Sequence, residues 1–148
     1  MAPDICEPHH AKTYLKKVEE HLLKPKSIGI GTLSDNHNFY SPYYDNSDDS
    51  SDPKVAHGFS YHNGPEWVWL YGFYLVAKMN FEGQKLTKRK VMTQLQEHIK
   101  YIEKSEWQSL TELTNRNGEE NRFSCPAQAW SISSVLMVLR KLESLPYE

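Results

Sequence analysis

Apolar residues recur at helical spacing in the first and third of four predicted helices. The first helix is predicted from about His9 to Leu23, and Pro25 ends it because proline cannot continue a helix. The third is predicted from about Thr87 to Glu103, with the Thr87 hydroxyl as its N-cap. Their apolar stripes are Tyr14, Leu15, Val18 and Leu22 in the first helix, and Val91, Leu95, Ile99 and Ile102 in the third.

The second and fourth predicted helices are both expected to be buried. The second is apolar on nearly all sides, which is typical of a helix between neighbours. The second is predicted to begin at Gly64-Pro65, with Glu66 in its first turn, and to continue through Trp67–Met79. The fourth is predicted to begin at Cys125-Pro126 and to continue through Leu142. No stretch alternates convincingly as a strand does. The pattern therefore predicts one domain of the all-α class.

Two long irregular stretches, Lys26–Asn63 and Ser105–Phe123, precede the buried helices. If the helices pair antiparallel, we expect both loops to open on one rim of the domain. Loops this long are uncommon in compact domains unless they are functional or disordered. The acidic-serine run Asp45–Asp52 is predicted to be a solvated loop, because it lacks the glycine and closing glutamate of a calcium loop.

Aromatic residues make up 12% of the 148 residues and concentrate in two segments, Asn38–Tyr44 and Phe59–Tyr74. There they mix with His, Asp, Asn and Gly, a combination that suits a ligand surface with flat apolar faces and hydrogen-bonding groups.

Charge and hydropathy exclude several classes of protein. The formal net charge of -2 argues against a nucleic-acid binder that relies on a basic surface. No apolar run approaches the roughly 20 residues of a membrane span. The first six residues carry no signal-peptide pattern, and two cysteines do not make a disulfide scaffold. We therefore expect a cytoplasmic protein that does not act at a membrane.

The sequence shows neither the residue spacing of a metal site nor the motif of a catalytic nucleophile. The chain has seven histidines, but His9 and His10 are adjacent and no cysteine or carboxylate lies at zinc-ligand spacing. Cys125 precedes a proline without a nucleophile signature, so a small buried cysteine is expected. Ser124 and Ser131 lack a nucleophile-elbow pattern. We therefore predict neither a metal nor a cofactor.

Two carboxylates stand out by their surroundings. Glu66 lies between Pro65 and Trp67, where its alternative role is to complement a helix dipole. Glu112 lies in Leu110–Asn115, where its alternative is a loop carboxylate in water. Paired carboxylates in an aromatic-lined cleft are what glycoside hydrolysis requires, although these local patterns do not by themselves specify it.

Four ordered blocks resemble the C-terminal amylo-α-1,6-glucosidase part of eukaryotic glycogen debranching enzyme, and the resemblance covers nearly the whole chain. The most distinctive is Gly58–Trp69, which reads GFSYHNGPEWVW. The other three are Tyr43–Asn46, the pair Ser105–Trp107 and Glu112–Asn115, and Phe123–Ile132.

Three residues depart from the family pattern. Asn63 stands where Gln is expected, Glu106 where Pro is expected, and Thr111 where Pro is common. None of these departures removes a carboxylate.

The resemblance implies an (α/α)6 toroid of helical hairpins and an inverting hydrolase that removes the single glucose of an α-1,6 branch stub. It implies that Glu112 is the general base and that Glu66 is a sugar-binding or structural acid. It also implies a glucose pocket whose remaining wall consists of Tyr61, His62, Trp67, Trp69, Gln128 and Trp130. The expected partners are glycogen or limit dextrin and the remainder of a debranching enzyme chain.

Nothing in the chain matches the family's general acid, and a six-hairpin toroid has far more helices than the four predicted here. The chain, residues 1–148, is therefore expected to be a single partial domain, the C-terminal portion of a glucosidase domain, with little activity alone. It is also expected to expose an apolar flank. Two alternatives stay open. One is a non-catalytic glucan-binding or interaction module, and the other is an unstable fragment without a function of its own.

Overall fold

The computed structural model describes residues 3–47, 60–82 and 88–144. In this part of the chain four helices form most of the structure: α1 (Pro8–His21), α2 (Trp69–Glu82), α3 (Lys88–Lys104) and α4 (Ala129–Glu143). Three two-residue strands, β1 (Ile30–Gly31), β2 (Glu66–Trp67) and β3 (Leu113–Thr114), form one antiparallel sheet in the order β1-β2-β3. The all-α prediction is confirmed, and the toroid stays a prediction.

The amphipathic helices α1 and α3 lie where the periodicity predicts them, to within one or two residues at each end. Leu15, Val91 and Leu95 are buried as predicted, but Tyr14 and Ile99 from the same predicted stripes are exposed. These two residues therefore lie at the edges of their stripes. The predicted cap Thr87 and the run from residue 48 to residue 52 lie outside the described residues.

The predicted start of α2 is wrong. Gly64 has a φ of 147°, which is not helical, and Glu66 pairs in the sheet with Gly31 on one side and Thr114 on the other. The helix begins only at Trp69. Glu66 therefore does not complement a helix dipole, because cross-strand pairing has taken the residues that the Gly-Pro signal assigned to a first turn.

The predicted start of α4 is also wrong, by four residues. The carbonyl oxygen of Cys125 accepts a hydrogen bond from the Glu112 N–H (2.9 Å), and the Gln128 N–H donates to the Leu110 carbonyl oxygen (2.9 Å). The segment from 125 to 128 therefore runs beside residues 110–112, and the helix begins at Ala129. In this non-helical segment Cys125 is exposed, contrary to the expected buried cysteine.

Helices α2 and α4 pack side by side and run in the same direction. Trp69 stacks on Trp130 near their N-terminal ends, with ring centroids 4.1 Å apart, and Gly72 lies against Ser134 one turn further along. The two loops that lead into α2 and α4 therefore open at the same end of the domain.

Helix α1 closes one side of the core, where Lys78 and Tyr74 of α2 donate hydrogen bonds to Glu19. On another side, burial lowers the pKa of His98 to about 4, and its ring packs edge-on against Tyr71. His98 is therefore a neutral core residue. No helix within the described ranges combines the length and apolarity needed to span a bilayer.

The close approach of α2 and α4 predicts the effect of Gly72→Ala. A Cβ at position 72 would lie 2.3 Å from the carbonyl oxygen of Ser134, so the two helices must move apart. Overpacking of this kind costs about 1–3 kcal/mol, which exceeds the roughly 0.5–1 kcal/mol gained when alanine replaces glycine in a helix. We expect a net loss of about 1–2 kcal/mol in the free energy of unfolding, measured by urea denaturation.

The matched control is Ser133→Ala, one residue from the contact on the exposed face of α4, which we expect to change stability little. A Gly72→Ala variant more stable than the parent protein would contradict the tight packing of the two helices.

Candidate active site

Glu112 lies at the junction of three chain segments, immediately before β3. Its carbonyl oxygen accepts a hydrogen bond from the Val68 N–H (3.1 Å), and its own N–H donates to the carbonyl oxygen of Cys125 (2.9 Å). These two bonds fix the backbone of Glu112 relative to the start of α2 and to the segment that leads into α4.

The Glu112 carboxylate is held at both oxygens and is only half-buried. Oε1 accepts a hydrogen bond from the Tyr61 hydroxyl, and Oε2 lies 3.4 Å from the N–H of Cys125, which donates to it. A carboxylate with a fixed orientation and access to solvent can accept a proton from a bound water. Glu112 therefore combines a fixed orientation with partial solvent access.

Four rings form an aromatic cluster around this carboxylate: Tyr44, Tyr61, His62 and Trp67. The Tyr61 ring contacts the other three, with centroid distances of 4.8 Å to Tyr44, 4.9 Å to His62 and 4.7 Å to Trp67. His62 and Trp67 stack with nearly parallel ring planes and with their ring centroids 5.2 Å apart. The Trp67 indole N–H donates to the carbonyl oxygen of Tyr61 (3.0 Å), so the cluster is fixed by a hydrogen bond as well as by packing.

The two tyrosine hydroxyls of the cluster stay protonated at neutral pH. Burial and the hydrogen bond to Glu112 raise the pKa of Tyr61 well above its ordinary value. Burial and the nearby Glu112 charge also raise the pKa of Tyr44. The Tyr61 hydroxyl therefore remains a hydrogen-bond donor to Glu112 throughout the neutral range.

Glu66 has a different environment from Glu112, because it is only 1% exposed. Its Oε2 accepts hydrogen bonds from the hydroxyls of Ser27 (2.6 Å) and Thr114 (3.0 Å). Two backbone N–H groups complete the set, with Gly118 donating to Oε2 and Asn117 to Oε1, each at 2.9 Å. Asn117 and Gly118 form a turn with positive φ values of 61° and 75°. Four donors occupy this carboxylate, which supports its structural alternative over a sugar-binding role.

The remaining predicted site residues lie near the N-terminal ends of α2 and α4. The stacked pair Trp69 and Trp130 forms one surface there, and Trp130 is 50% exposed. Gln128 precedes α4, and its Oε1 accepts a hydrogen bond from the Ser131 hydroxyl (3.0 Å). Within the described part of the chain, the Trp69–Trp130 pair makes no ring contact with the aromatic cluster around Glu112. Val68 connects the two groups along the backbone, since its N–H donates to Glu112.

Sequence reasoning missed Tyr44 as a member of the cluster. Asn115 accepts a hydrogen bond from the Tyr44 N–H (3.2 Å) at its side-chain oxygen, and the Asn121 side-chain amide donates to the Tyr44 carbonyl oxygen (2.9 Å). The two asparagines are joined by a 2.7 Å hydrogen bond. The signal was available, because Tyr44 and Asn115 belong to two of the quoted blocks, but no spacing rule links residues 71 positions apart.

Comparison with known proteins identifies the class to which this fold and site belong. The family profile described as amylo-alpha-1,6-glucosidase matches residues 1–137. The chain belongs to this family. It is also similar to the glycogen debranching enzyme of Saccharomyces cerevisiae (strain ATCC 204508 / S288c), with 39% identity over 150 residues. That similarity covers 92% of this chain and spans about a tenth of the length of the yeast protein.

The environment of Glu66 predicts that Glu66→Gln destabilises the protein despite its equal size. Both oxygens of the Glu66 carboxylate accept hydrogen bonds, but the glutamine amide has only one oxygen. The NH2 group of the glutamine would therefore face at least one donor, which would lose its acceptor. An unsatisfied buried donor costs about 1–3 kcal/mol, and the loss of charge weakens the remaining bonds. We expect the free energy of unfolding to fall by roughly 2 kcal/mol or more, measured by denaturant titration.

The control for this variant is Glu119→Gln, which removes an exposed carboxylate adjacent to the same turn. It is expected to change the free energy of unfolding by less than about 0.5 kcal/mol. Equal stabilities of the two variants would show that the hydrogen bonds to Glu66 are not important for the fold.

Proposed function

We propose that this chain forms part of a glycoside hydrolase that removes the single α-1,6-linked glucose left at a glycogen branch stub. Glu112 is the general base in this proposal. The observation that carries it is the half-buried Glu112 carboxylate, oriented by the Tyr61 hydroxyl and the Cys125 N–H inside an aromatic cluster. Membership of the amylo-alpha-1,6-glucosidase family supports the reaction class.

In the proposed mechanism the reaction inverts the configuration at the sugar carbon. Glu112 takes a proton from a water molecule while the water oxygen attacks that carbon from the face opposite the glycosidic bond. A second carboxylic acid, roughly 6.5–9.5 Å from the base, protonates the departing glycosidic oxygen. Glu66 does not suit that second role, because four donors already occupy its buried carboxylate. In this proposal the acid is supplied by the remainder of a debranching enzyme chain, and the yeast relative is about ten times as long as the segment matched here.

The glucose pocket in this proposal is built on the aromatic cluster. The exposed His62 and the half-buried Tyr61 offer ring surface to the sugar, and His62 also offers a polar edge to the sugar hydroxyls. The buried Trp67 supports both rings from behind. Trp69, Gln128 and Trp130 form a further wall at the same end of the domain. The proposed substrate is glycogen or limit dextrin, the proposed partner is the remainder of a debranching enzyme chain, and the proposed compartment is the cytoplasm.

A second candidate function is a non-catalytic glucan-binding module. The observation in its favour is that the aromatic cluster is assembled entirely within this chain, whereas Glu112 is the one carboxylate that hydrogen-bonds to a ring of the cluster among the described residues. Glycogen binding that survives Glu112→Gln but is lost in Trp67→Ala would favour this alternative.

The catalytic proposal predicts that this chain can replace the matching segment of the yeast debranching enzyme. We expect such a chimera to release glucose from a dextrin that carries single α-1,6-linked glucose stubs. Introducing Glu112→Gln should lower that rate by about 10²–10⁴-fold, because the general base is lost. Glucose release is measured enzymatically after purification of each chimera.

The matched control is Glu103→Gln, an exposed carboxylate on α3, which should leave the rate unchanged. Equal activity of the Glu112→Gln and Glu103→Gln chimeras would overturn the assignment of Glu112. A folded chimera that releases no glucose would overturn the catalytic proposal as a whole.

A further inference from the structure

A cavity of about 380 Å³ lies beside the turn that follows α3, away from the aromatic cluster. Its lining is polar and charged around two aromatic rings, and it includes Tyr101, Lys104, Glu106, Trp107, Glu120 and Pro126. Neither the proposed mechanism nor the predicted glucose pocket uses this cavity.

Trp107 is the notable residue of this cavity, because 64% of its surface is exposed. Burying a large apolar side chain is worth about 1.5–3 kcal/mol, and the fold forgoes most of that gain here. The turn also contains Gln108 with a φ of 46°, a left-handed conformation that costs a residue with a side chain roughly 1–2 kcal/mol. An exposed tryptophan beside a strained backbone residue lowers the stability of the fold, and such local strain is concentrated at binding sites.

The turn holds Trp107 in place from the end of α3. The Ser105 N–H donates to the carbonyl oxygen of Tyr101 (2.9 Å), and the Ser105 carbonyl oxygen accepts from the Gln108 N–H (2.9 Å). The Ser105 hydroxyl oxygen accepts a hydrogen bond from the backbone N–H of Trp107 (3.3 Å). The backbone that carries the exposed indole is therefore fixed by the hydrogen bonds of this turn.

The cavity is connected to Glu112 along two routes. Pro126 lines the cavity and follows Cys125, whose N–H donates to the Glu112 carboxylate. Glu120 lines both this cavity and a second one of about 370 Å³, whose wall includes Tyr44 of the aromatic cluster. Glu120 and Pro126 therefore place the Trp107 cavity next to segments that also contact Tyr44 or Glu112.

The charged groups of this cavity are available to a ligand. Within the described ranges, the side chains of Lys104, Glu106 and Glu120 take part in no salt bridge with one another or with other residues. One ammonium and two carboxylates offer both donors and acceptors, and their net negative charge disfavours an anionic ligand. A neutral ligand rich in hydroxyl groups, with an apolar face for the indole, fits this chemistry.

We propose that the Trp107 cavity is an accessory subsite for a linear α-1,4-linked glucan chain, which stacks one glucose ring on the Trp107 indole. This inference rests on the proposed function, since it takes the same substrate class. A branched substrate then contacts the protein at two points, with its stub at Glu112 and a chain segment at Trp107. Two linked contacts raise the affinity for a long glucan above that for a short one.

The test is isothermal titration of the 148-residue chain with a linear α-1,4-linked glucose oligomer. We expect Trp107→Ala to weaken binding about tenfold, which is the size of effect expected when an anchoring tryptophan is removed. Trp107→Phe should retain part of the affinity, because a phenyl ring still stacks on a sugar. Thermal unfolding checks that each variant is folded.

The matched control is Tyr14→Ala, which removes another exposed aromatic residue, on α1 and outside the lining of this cavity. It should bind the oligomer as tightly as the parent chain. Trp67→Ala is titrated in parallel, because it tests the glucose pocket of the proposed function independently.

Three results would overturn the subsite. The first is unchanged affinity in Trp107→Ala together with a loss in Trp67→Ala, which leaves the proposed function intact. The second is an equal loss in Trp107→Ala and Tyr14→Ala. The third is a folded parent chain that binds no oligomer, as expected if Trp107 packs against another protein surface. In that case the yeast chimera still decides the proposed function separately.

Discussion

The arrangement of this domain depends on one buried carboxylate, that of Glu66. It has no ion-pair partner among the described residues, so hydrogen-bond donors alone compensate the loss of water around its charge. Two hydroxyls and two backbone N–H groups supply that compensation, and they come from two separate parts of the chain, Ser27 and the segment from 114 to 118. A buried charge satisfied in this way fixes its neighbours, because moving any donor away leaves the charge exposed to an apolar interior.

This constraint reaches the candidate active site through very short connections. Trp67 follows Glu66 directly and forms one wall of the aromatic cluster. Thr114, which donates to Glu66, lies two residues after Glu112. The pairing of β2 with β3 also places Trp67 opposite Leu113, the residue that follows Glu112. The sheet is only two residues long in each strand, so its own hydrogen bonds are few. Glu66 therefore supplies much of the cohesion that holds Glu112 against Trp67, and the parallel packing of α2 and α4 brings both loops to the same end.

The hydrophobic pattern was sufficient for α1 and α3, because each helix has one apolar stripe and a clear end. It failed at the starts of α2 and α4. There the local signals Gly64-Pro65 and Cys125-Pro126 favour a helix, but backbone hydrogen bonds to residues elsewhere in the chain hold both segments in non-helical conformations. The strands were missed because two residues are too few for an alternating pattern. Glu66 was singled out for the wrong local reason, since its donors at Ser27 and Gly118 leave no trace in the residues around it.

The identities of the predicted site residues could be obtained from the sequence, but their contacts with one another could not. The resemblance identified Glu112, Tyr61, His62 and Trp67, and these residues lie together. Their mutual contacts could not be derived from spacing, because Tyr61 and Glu112 are 51 positions apart. Tyr44 was overlooked for the same reason. Trp69, Gln128 and Trp130 lie together at the helix ends, where they form a neighbouring surface without ring contact to the cluster among the described residues.

The most direct test of the central claim, that the cluster around Glu112 is a glucose pocket, is nuclear magnetic resonance of the tryptophan indole N–H groups. The chain has four tryptophans, so each indole signal can be assigned by substitution. An α-1,6-linked glucose disaccharide is titrated into the labelled protein. The account predicts that the Trp67 signal shifts in a saturable way, because its ring packs directly against Tyr61 and His62, the two rings that contact the sugar in this proposal. A Trp67 signal that stays unchanged while the indoles outside the cluster shift would contradict it.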